Sequence, residues 1–393
     1  MNSTLLNRRN WIKRTTVATG GVLTAMAAMP VFGKQAFGMT PVAGKSALLE
    51  NYHVIPSLRE PLKARLLANE NPWGPSRKAI EAIAQSAAMG NRYVYDSSVK
   101  MVEMLAMKEK VPADHILLAP GSTDILEKTA FALCLKGGNV ISADPSYLSL
   151  VKTATSIGAT WKNIPLTPDF AHDLDAMEKA IDSDTKLVYI CNPNNPTGTL
   201  TPIDKIKAFC RKVNNRVPVF IDEAYLELMD DPESNSAVTM ISDGYDVIIA
   251  RTFSKIHGMA GLRMGYMVAK PERIKSIKEL VRTEMGICVT SLSGAMASLK
   301  DVEFQSYTRT HNKEGRDYVF DALQKMGMKP IPSHTSFILF PIAMPVKELL
   351  SKMFEKGVGI RGYEINGKPY ARVSMGTMDE LKLFTSSLQS IVS

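Results

Sequence analysis

Lys255 stands in Arg251-Thr252-Phe253-Ser254-Lys255, directly after the apolar run Val247–Ala250. A lysine at the end of a buried strand loses hydration, which favours its neutral amine, and a neutral amine attacks carbonyl carbons. Arg263 follows eight residues later in Ala260-Gly261-Leu262-Arg263, and Thr252 and Ser254 sit beside the amine. One fixed cation and two hydroxyls can clamp a phosphate. Taken alone, the same lysine also reads as a solvated loop residue.

Five further segments carry residues of the same kind. Pro120-Gly121-Ser122-Thr123 leads into a helix from Asp124. A glycine-led helix start offers free N–H groups to an anion, or it is a plain N-cap. Asn192-Pro193-Asn194-Asn195-Pro196-Thr197-Gly198 follows the run Leu187–Cys191. Such a rigid turn can hold an asparagine against a phenolic oxygen, or it binds nothing. In Phe220-Ile221-Asp222-Glu223-Ala224-Tyr225, Asp222 ends an apolar strand, so its carboxylate needs a partner. A protonated pyridine nitrogen would serve, with Tyr225 reaching a ring hydroxyl. Tyr147, in Asp144-Pro145-Ser146-Tyr147, could stack on a flat ring or pack in the core. Arg372 interrupts an apolar strand pattern, Tyr370-Ala371-Arg372-Val373-Ser374, which suits a substrate carboxylate or a structural acid.

The elements that must position these residues are short apolar runs at Ile116–Leu118, Val140–Ser142, Leu187–Cys191, Val219–Ile221 and Val247–Ala250. Each is apolar on both faces, as in a parallel sheet, and helical stretches such as Ile125–Leu135 and Ile203–Lys212 alternate with them. That order predicts an α/β domain with a doubly wound sheet, whose ligands bind beyond the carboxyl ends of the strands. After about residue 300 the pattern changes to strand Ser336–Phe340, helix Val346–Lys356, strand Ala371–Met375 and helix Asp379–Ile391, a smaller α+β domain. A long helix around 270–300 and the stretch Tyr307–Gly327 should join the two.

Composition bounds the alternatives. The chain has 393 residues, 45% hydrophobic and 22% charged, with a formal net charge of +8. Residues 1–33 hold Arg8, Arg9, Lys13 and Arg14 and no acid, so half of that surplus sits in the leader. The remaining basic residues are scattered and form no nucleic-acid reader, which leaves anionic small molecules as their partners. Cys134, Cys191, Cys210 and Cys288 have no CxxC or zinc-ligand spacing, so free thiols and no metal are expected. The leader reads Asn7-Arg8-Arg9-Asn10-Trp11-Ile12-Lys13 and then a mildly apolar stretch broken by Gly20, Gly21 and Pro30. It resembles a twin-arginine export signal, and the stretch is short and only mildly apolar for a stable membrane anchor, which predicts a periplasmic or other extracytoplasmic protein.

In order, these elements resemble the fold-type I pyridoxal-5′-phosphate (PLP) aminotransferases, over roughly residues 60–390. Asn69-Glu70-Asn71-Pro72-Trp73-Gly74-Pro75-Ser76 and Asn91-Arg92-Tyr93 make the chain similar to the histidinol-phosphate aminotransferase branch. The resemblance implies that Lys255 carries PLP as a Schiff base and acts as base, while Asp222 pairs with the pyridine nitrogen. It also implies that Tyr147 stacks on the ring and that Asn195 and Tyr225 contact its oxygen. Gly121, Ser122, Thr123, Thr252, Ser254 and Arg263 would hold the phosphate, with Tyr93 reaching the partner's phosphate across a homodimer. Arg372 and Arg361 would bind the two ends of the substrate, with Asn69 and Gly74 nearby. The sequence departs from the pattern at Val94, where the family has proline, and at Glu364, which would disfavour a phosphorylated substrate if it faces the site. The expected partition is a leader over 1–33, an arm and part of the small domain over 34–84, the PLP domain over 85–290 and the small domain over 291–393. The expected reaction moves an amino group from an amino acid, or an amino alcohol phosphate such as histidinol phosphate, to a 2-oxo acid. A PLP-dependent lyase or decarboxylase on the same scaffold is the alternative.

Overall fold

A computed structural model describes residues 62–281 and 284–393 of the chain. The leader and most of the arm expected from the sequence lie outside the described residues. The strands, in chain order, are β1 Ala64–Arg65, β2 Ile116–Ala119, β3 Asn139–Asp144, β4 Thr160–Pro165, β5 Thr185–Cys191, β6 Val219–Asp222, β7 Val247–Thr252, β8 Gly265–Val268, β9 Phe337–Pro341, β10 Val358–Gly359, β11 Arg361–Ile365 and β12 Lys368–Ser374.

Seven of them form one sheet in the order β2-β8-β7-β6-β5-β3-β4. All pairings are parallel except those of β8, which runs antiparallel to both β2 and β7. The period-two pleat sorts the apolar runs onto two faces. Ile141, Ile190, Ile221 and Ile249 enter one core, while Val140, Tyr189, Phe220 and Ile248 enter the other. Burial on both faces explains why these strands read as continuous apolar runs. β4 escapes that reading because it is an edge strand, Thr-Trp-Lys-Asn-Ile-Pro, with exposed and half-buried positions. β8 escapes it because it is four residues long and follows the Arg263 turn directly.

A second sheet, β11-β12-β9, is antiparallel and is covered by the helices Val302–Lys325, Val346–Glu355 and Met378–Val392. The last of these starts in a capping box, Thr377 with Glu380. β1 pairs in parallel with β10, so the segment before Asn69 is tied to the C-terminal layer. The long helix expected around 270–300 is instead two helices, Pro271–Lys278 and Val289–Leu299, with Gly286 in the turn of 3-10 helix before the second. The long helix of this region is Val302–Lys325. Among the described residues no helix is long and apolar enough to cross a membrane.

Candidate active site

Parallel register aligns Cys191 with Asp222 and Asp222 with Ala250, so the carboxyl ends of β5, β6 and β7 finish side by side. The segments leaving those ends line a cavity of about 230 Å³. Asn69, Ser122, Thr123, Tyr147, Asn195, Asp222, Tyr225, Thr252, Ser254, Lys255, Arg263, Arg361 and Arg372 all contribute to its wall.

One end of the cavity is built for an anion. Gly121 has φ +95, a conformation open to glycine, and turns the chain into the helix Ser122–Cys134. A Cβ at Gly121 would lie 2.3 Å from Nη2 of Arg263, so the missing side chain admits the guanidinium to the helix N-terminus. Arg263 is held by Ala260 O, which accepts from Nη1 at 2.9 Å. Thr252 Oγ1 donates to Ser254 Oγ at 3.0 Å and accepts from Ser254 N at 3.1 Å. Two hydroxyls, a guanidinium and a helix start thus converge.

Lys255 Nζ donates to the Asn69 carbonyl at 2.8 Å and lies 5.3 Å from the centre of the Tyr225 ring. Burial, then the nearby Arg372, lower its pKa to about 8. Asp222 is 2% exposed. Its Oδ1 accepts from Ala224 N at 3.1 Å and its Oδ2 from the Tyr189 hydroxyl at 3.2 Å. Burial raises its pKa to about 6, against the pull of those two donors and of Lys255. Among the described residues no cationic side chain forms an ion pair with Asp222, so a buried carboxylate faces the cavity beside a readily deprotonated amine.

The flanking turns are fixed by side chains that do not face the cavity. Asn194 accepts from Ser146 Oγ at 2.9 Å and donates to Pro145 O at 3.1 Å, which pins the Tyr147 turn to the Asn192–Gly198 turn. Asn192 bonds both backbone groups of Thr201, at 2.8 and 3.1 Å, leaving Asn195 as the asparagine turned inward. Behind the strand ends, buried Arg251 pairs with Glu223 at 2.9 Å and Glu109 at 3.4 Å. Asn69 Nδ2 donates to the Tyr225 hydroxyl at 2.8 Å, and Ser374 Oγ donates to Asn69 Oδ1 at 2.6 Å.

Three residues named from the sequence are not in this wall, and one of them, Gly121, shapes it from behind as the N-cap of the helix Ser122–Cys134. Gly74 packs elsewhere: its carbonyl oxygen lies 2.0 Å from where a Cβ on Gly258 would stand, so it belongs to a close backbone approach and does not contact the cavity. Tyr93 is 74% exposed and packs on Tyr95, away from the cavity of its own chain. Glu364 also points away. Strand alternation puts Arg361, Tyr363 and Ile365 on one face of β11 and Gly362 and Glu364 on the other, where Gly362 meets Val346. The structure adds Glu70 and Cys191 to the wall, and it brings Lys152 close enough to Arg361 that burial and that guanidinium both lower its pKa. Neither Cys191, in an apolar run, nor Lys152, on an amphipathic helix, carries a local signal of such a place.

A flat ring bearing an aldehyde, a phosphate and a basic nitrogen fits this donor set. The phosphate would meet the anion end, the aldehyde would meet Lys255, and the ring nitrogen's proton would answer the buried Asp222. The comparisons agree. The aminotransferase class I and II family matches residues 63–388. The histidinol-phosphate aminotransferase of Moorella thermoacetica is 34% identical over 84% of this chain and 85% of its own. That of Brevibacillus brevis is 35% identical over 84% and 90%. Among solved structures, the histidinol-phosphate aminotransferase of Sinorhizobium meliloti in complex with pyridoxal-5′-phosphate has a TM-score of 0.81 at 23% identity, covering 91% of this chain and 98% of that one. This chain belongs to the aminotransferase class I and II family, has the fold-type I architecture and is a PLP-dependent aminotransferase.

Proposed function

We propose that the enzyme takes its amino group from a donor with an anionic far end, histidinol phosphate or an acidic amino acid, and passes it to a 2-oxo acid. The observation that carries this reading is the pair Arg361 and Arg372 in one cavity wall, with Glu364 on the opposite face of β11. Lys152 adds a second cation near Arg361. The name shared by the Moorella and Brevibacillus relatives points the same way.

When bound, PLP supplies an aldehyde that condenses with amines and a cationic ring that accepts the electron pair left at the donor Cα. Lys255 is the residue that would hold that aldehyde, and its amine is the base placed to take the donor's Cα proton. Asp222 keeps the ring nitrogen protonated. Asn195 and Tyr225 would contact the ring oxygen, Tyr147 would cover the ring, and Ser122, Thr123, Thr252, Ser254 and Arg263 would hold the phosphate. Arg372 orients a carboxylate next to the reacting carbon, and Arg361 takes the far anion. The test is amino transfer to 2-oxoglutarate from a panel of phosphorylated, acidic, neutral and basic donors. Anionic donors should show the highest kcat/KM. Equal values for neutral aliphatic donors would remove the substrate assignment, and carbon dioxide release without consumption of the oxo acid would move the enzyme to the lyases.

Two wider features belong to this proposal. Export by the twin-arginine route is supported by Arg8-Arg9 ahead of Trp11, Ile12 and Lys13. Fractionation of cells carrying the wild type or Arg8→Lys/Arg9→Lys tests it, the variant being expected to stay in the cytoplasm. A homodimer is supported by exposed Tyr93, Tyr95 and Met285 around a surface hollow of about 940 Å³. Sedimentation should give twice the chain mass, and loss of cofactor affinity in Tyr93→Ala should accompany intact dimers.

A further inference from the structure

We propose that Tyr189, which touches neither substrate nor cavity, is a positioning residue for the reaction: its hydroxyl keeps the Asp222 carboxylate ionised and oriented toward the cofactor's ring nitrogen. The inference rests on the role given to Asp222 above.

Tyr189 lies in the middle of β5 and is fully buried. Its ring packs on Phe220 with centroids 5.9 Å apart, a contact that phenylalanine would make equally well. What tyrosine adds is a hydroxyl, and a hydroxyl buried this deeply must find an acceptor. The pairing of β5 with β6 supplies one. Tyr189 is opposite Phe220, Cys191 is opposite Asp222, and the phenol reaches forward to Asp222 Oδ2 at 3.2 Å. The other oxygen is taken by the backbone of Ala224 at 3.1 Å. The peptide donor would be present with any residue at 224 other than proline. Tyr189 is the side-chain donor to Asp222 among the described residues, so it is the group through which sequence sets this carboxylate.

Among the chain's own side chains, the neighbours leave a pH-independent share of that task to the phenol. The titratable groups around Asp222 are Lys255 after β7, Glu223 and Tyr225 at its own strand end, and Tyr189 and Cys191 on β5. Glu223 opposes ionisation of Asp222 and is itself engaged by Arg251. Burial holds the Cys191 thiol and both phenols protonated, so none of these brings positive charge. Lys255 contributes charge only while its amine is protonated, and holding the cofactor uses that amine. A neutral phenol that cannot ionise remains as a fixed donor at every working pH.

Tyr189→Phe removes the donor and keeps the ring. In the holoenzyme, the acid limb of the kcat/KM profile should move up by about one pH unit, the size that a hydrogen bond to a charged group carries. Donor KM should stay near the wild-type value while kcat falls. Cofactor dissociation, followed by the fluorescence of released PLP and independent of turnover, should be about tenfold more favourable. Combined with Asp222→Asn, the variant should add nothing further to cofactor loss, because the two residues act as one unit. A Tyr189→Phe enzyme with the wild-type pH profile and cofactor affinity overturns the proposal, even if its melting temperature falls. An Asp222→Asn enzyme that binds PLP like the wild type would instead overturn the role of Asp222, so the two failures are told apart.

Discussion

Arg372 Nη1 donates to Asn195 Oδ1 at 2.6 Å, joining the small sheet to the turn after β5. Arg372 is 2% exposed, and its guanidinium lies over the rings of Phe337, at 4.9 Å, and Tyr363, at 5.4 Å. One arginine therefore meets the cavity with its plane already fixed, and its partner is the asparagine assigned to the ring oxygen. A carboxylate docking on Arg372, as proposed above, would compete for the same donor and be felt at Asn195.

Arg372→Lys should keep the charge and lose the planar fork. KM for both the carboxylate donor and 2-oxoglutarate should rise by about 10- to 100-fold, the range for a hydrogen bond to a charged group. Steady-state kinetics with both substrates checks this. An unchanged KM for 2-oxoglutarate would take the carboxylate away from Arg372.

The amine of Lys255 sets a pH dependence for cofactor capture. Burial and Arg372 disfavour its ammonium, so the folded chain releases this proton near pH 8 and not near 10.5. The neutral amine is the nucleophile. Stopped-flow absorbance of the cofactor-free protein with PLP should show a rate that climbs through neutrality and levels above about pH 8. A rate that keeps climbing to pH 10 would mean an ordinary exposed amine. Lys255→Ala should show no such phase.

Gly121→Ala places a methyl 2.3 Å from Nη2 and 2.8 Å from Cζ of Arg263, at φ +95. The side chain of Arg263 can swing away, so the fold should survive with a backbone strain of about 1–3 kcal/mol. The phosphate would then lose its guanidinium. We expect cofactor dissociation to rise by at least about tenfold, with a melting temperature only a few degrees lower. Equilibrium dialysis and a thermal melt separate the two effects, and a normal cofactor affinity would show that Arg263 is not the clamp.

The sheet and most of the cavity wall were legible because both depend on local rules. Strands buried on both faces must read as apolar runs, and a parallel sheet must collect its polar residues at the carboxyl ends, which is where Asp222, Asn195 and Lys255 occur. β4 was illegible because an edge strand needs no apolar face. Glycine spacing cannot tell a ligand contact from a backbone approach, so Gly74 read as a site residue although it meets Gly258. Tyr189 reads as one more core aromatic, since only the register of β5 on β6 brings its hydroxyl to Asp222.

The direction of β11 decides which substrate end the small sheet reads. Arg361 pairs with Arg372 across the strands and shares its face with Tyr363, while Glu364 lies on the face turned to the helix Val346–Glu355. A carboxylate on that outer face is separated from the cavity by the strand itself and screened by solvent. Arg361→Ala should therefore raise KM for histidinol phosphate or an acidic donor by about 10- to 100-fold and leave a neutral donor within about twofold. Glu364→Gln should leave KM for both donors unchanged. If Glu364→Gln lowers KM for the phosphorylated donor severalfold, the carboxylate repels the phosphate and the assignment of Arg361 to the far anion fails. If neither variant changes the ratio between charged and neutral donors, the far end of the substrate is not read by Arg361, and Lys152, the cation beside it, becomes the residue to test.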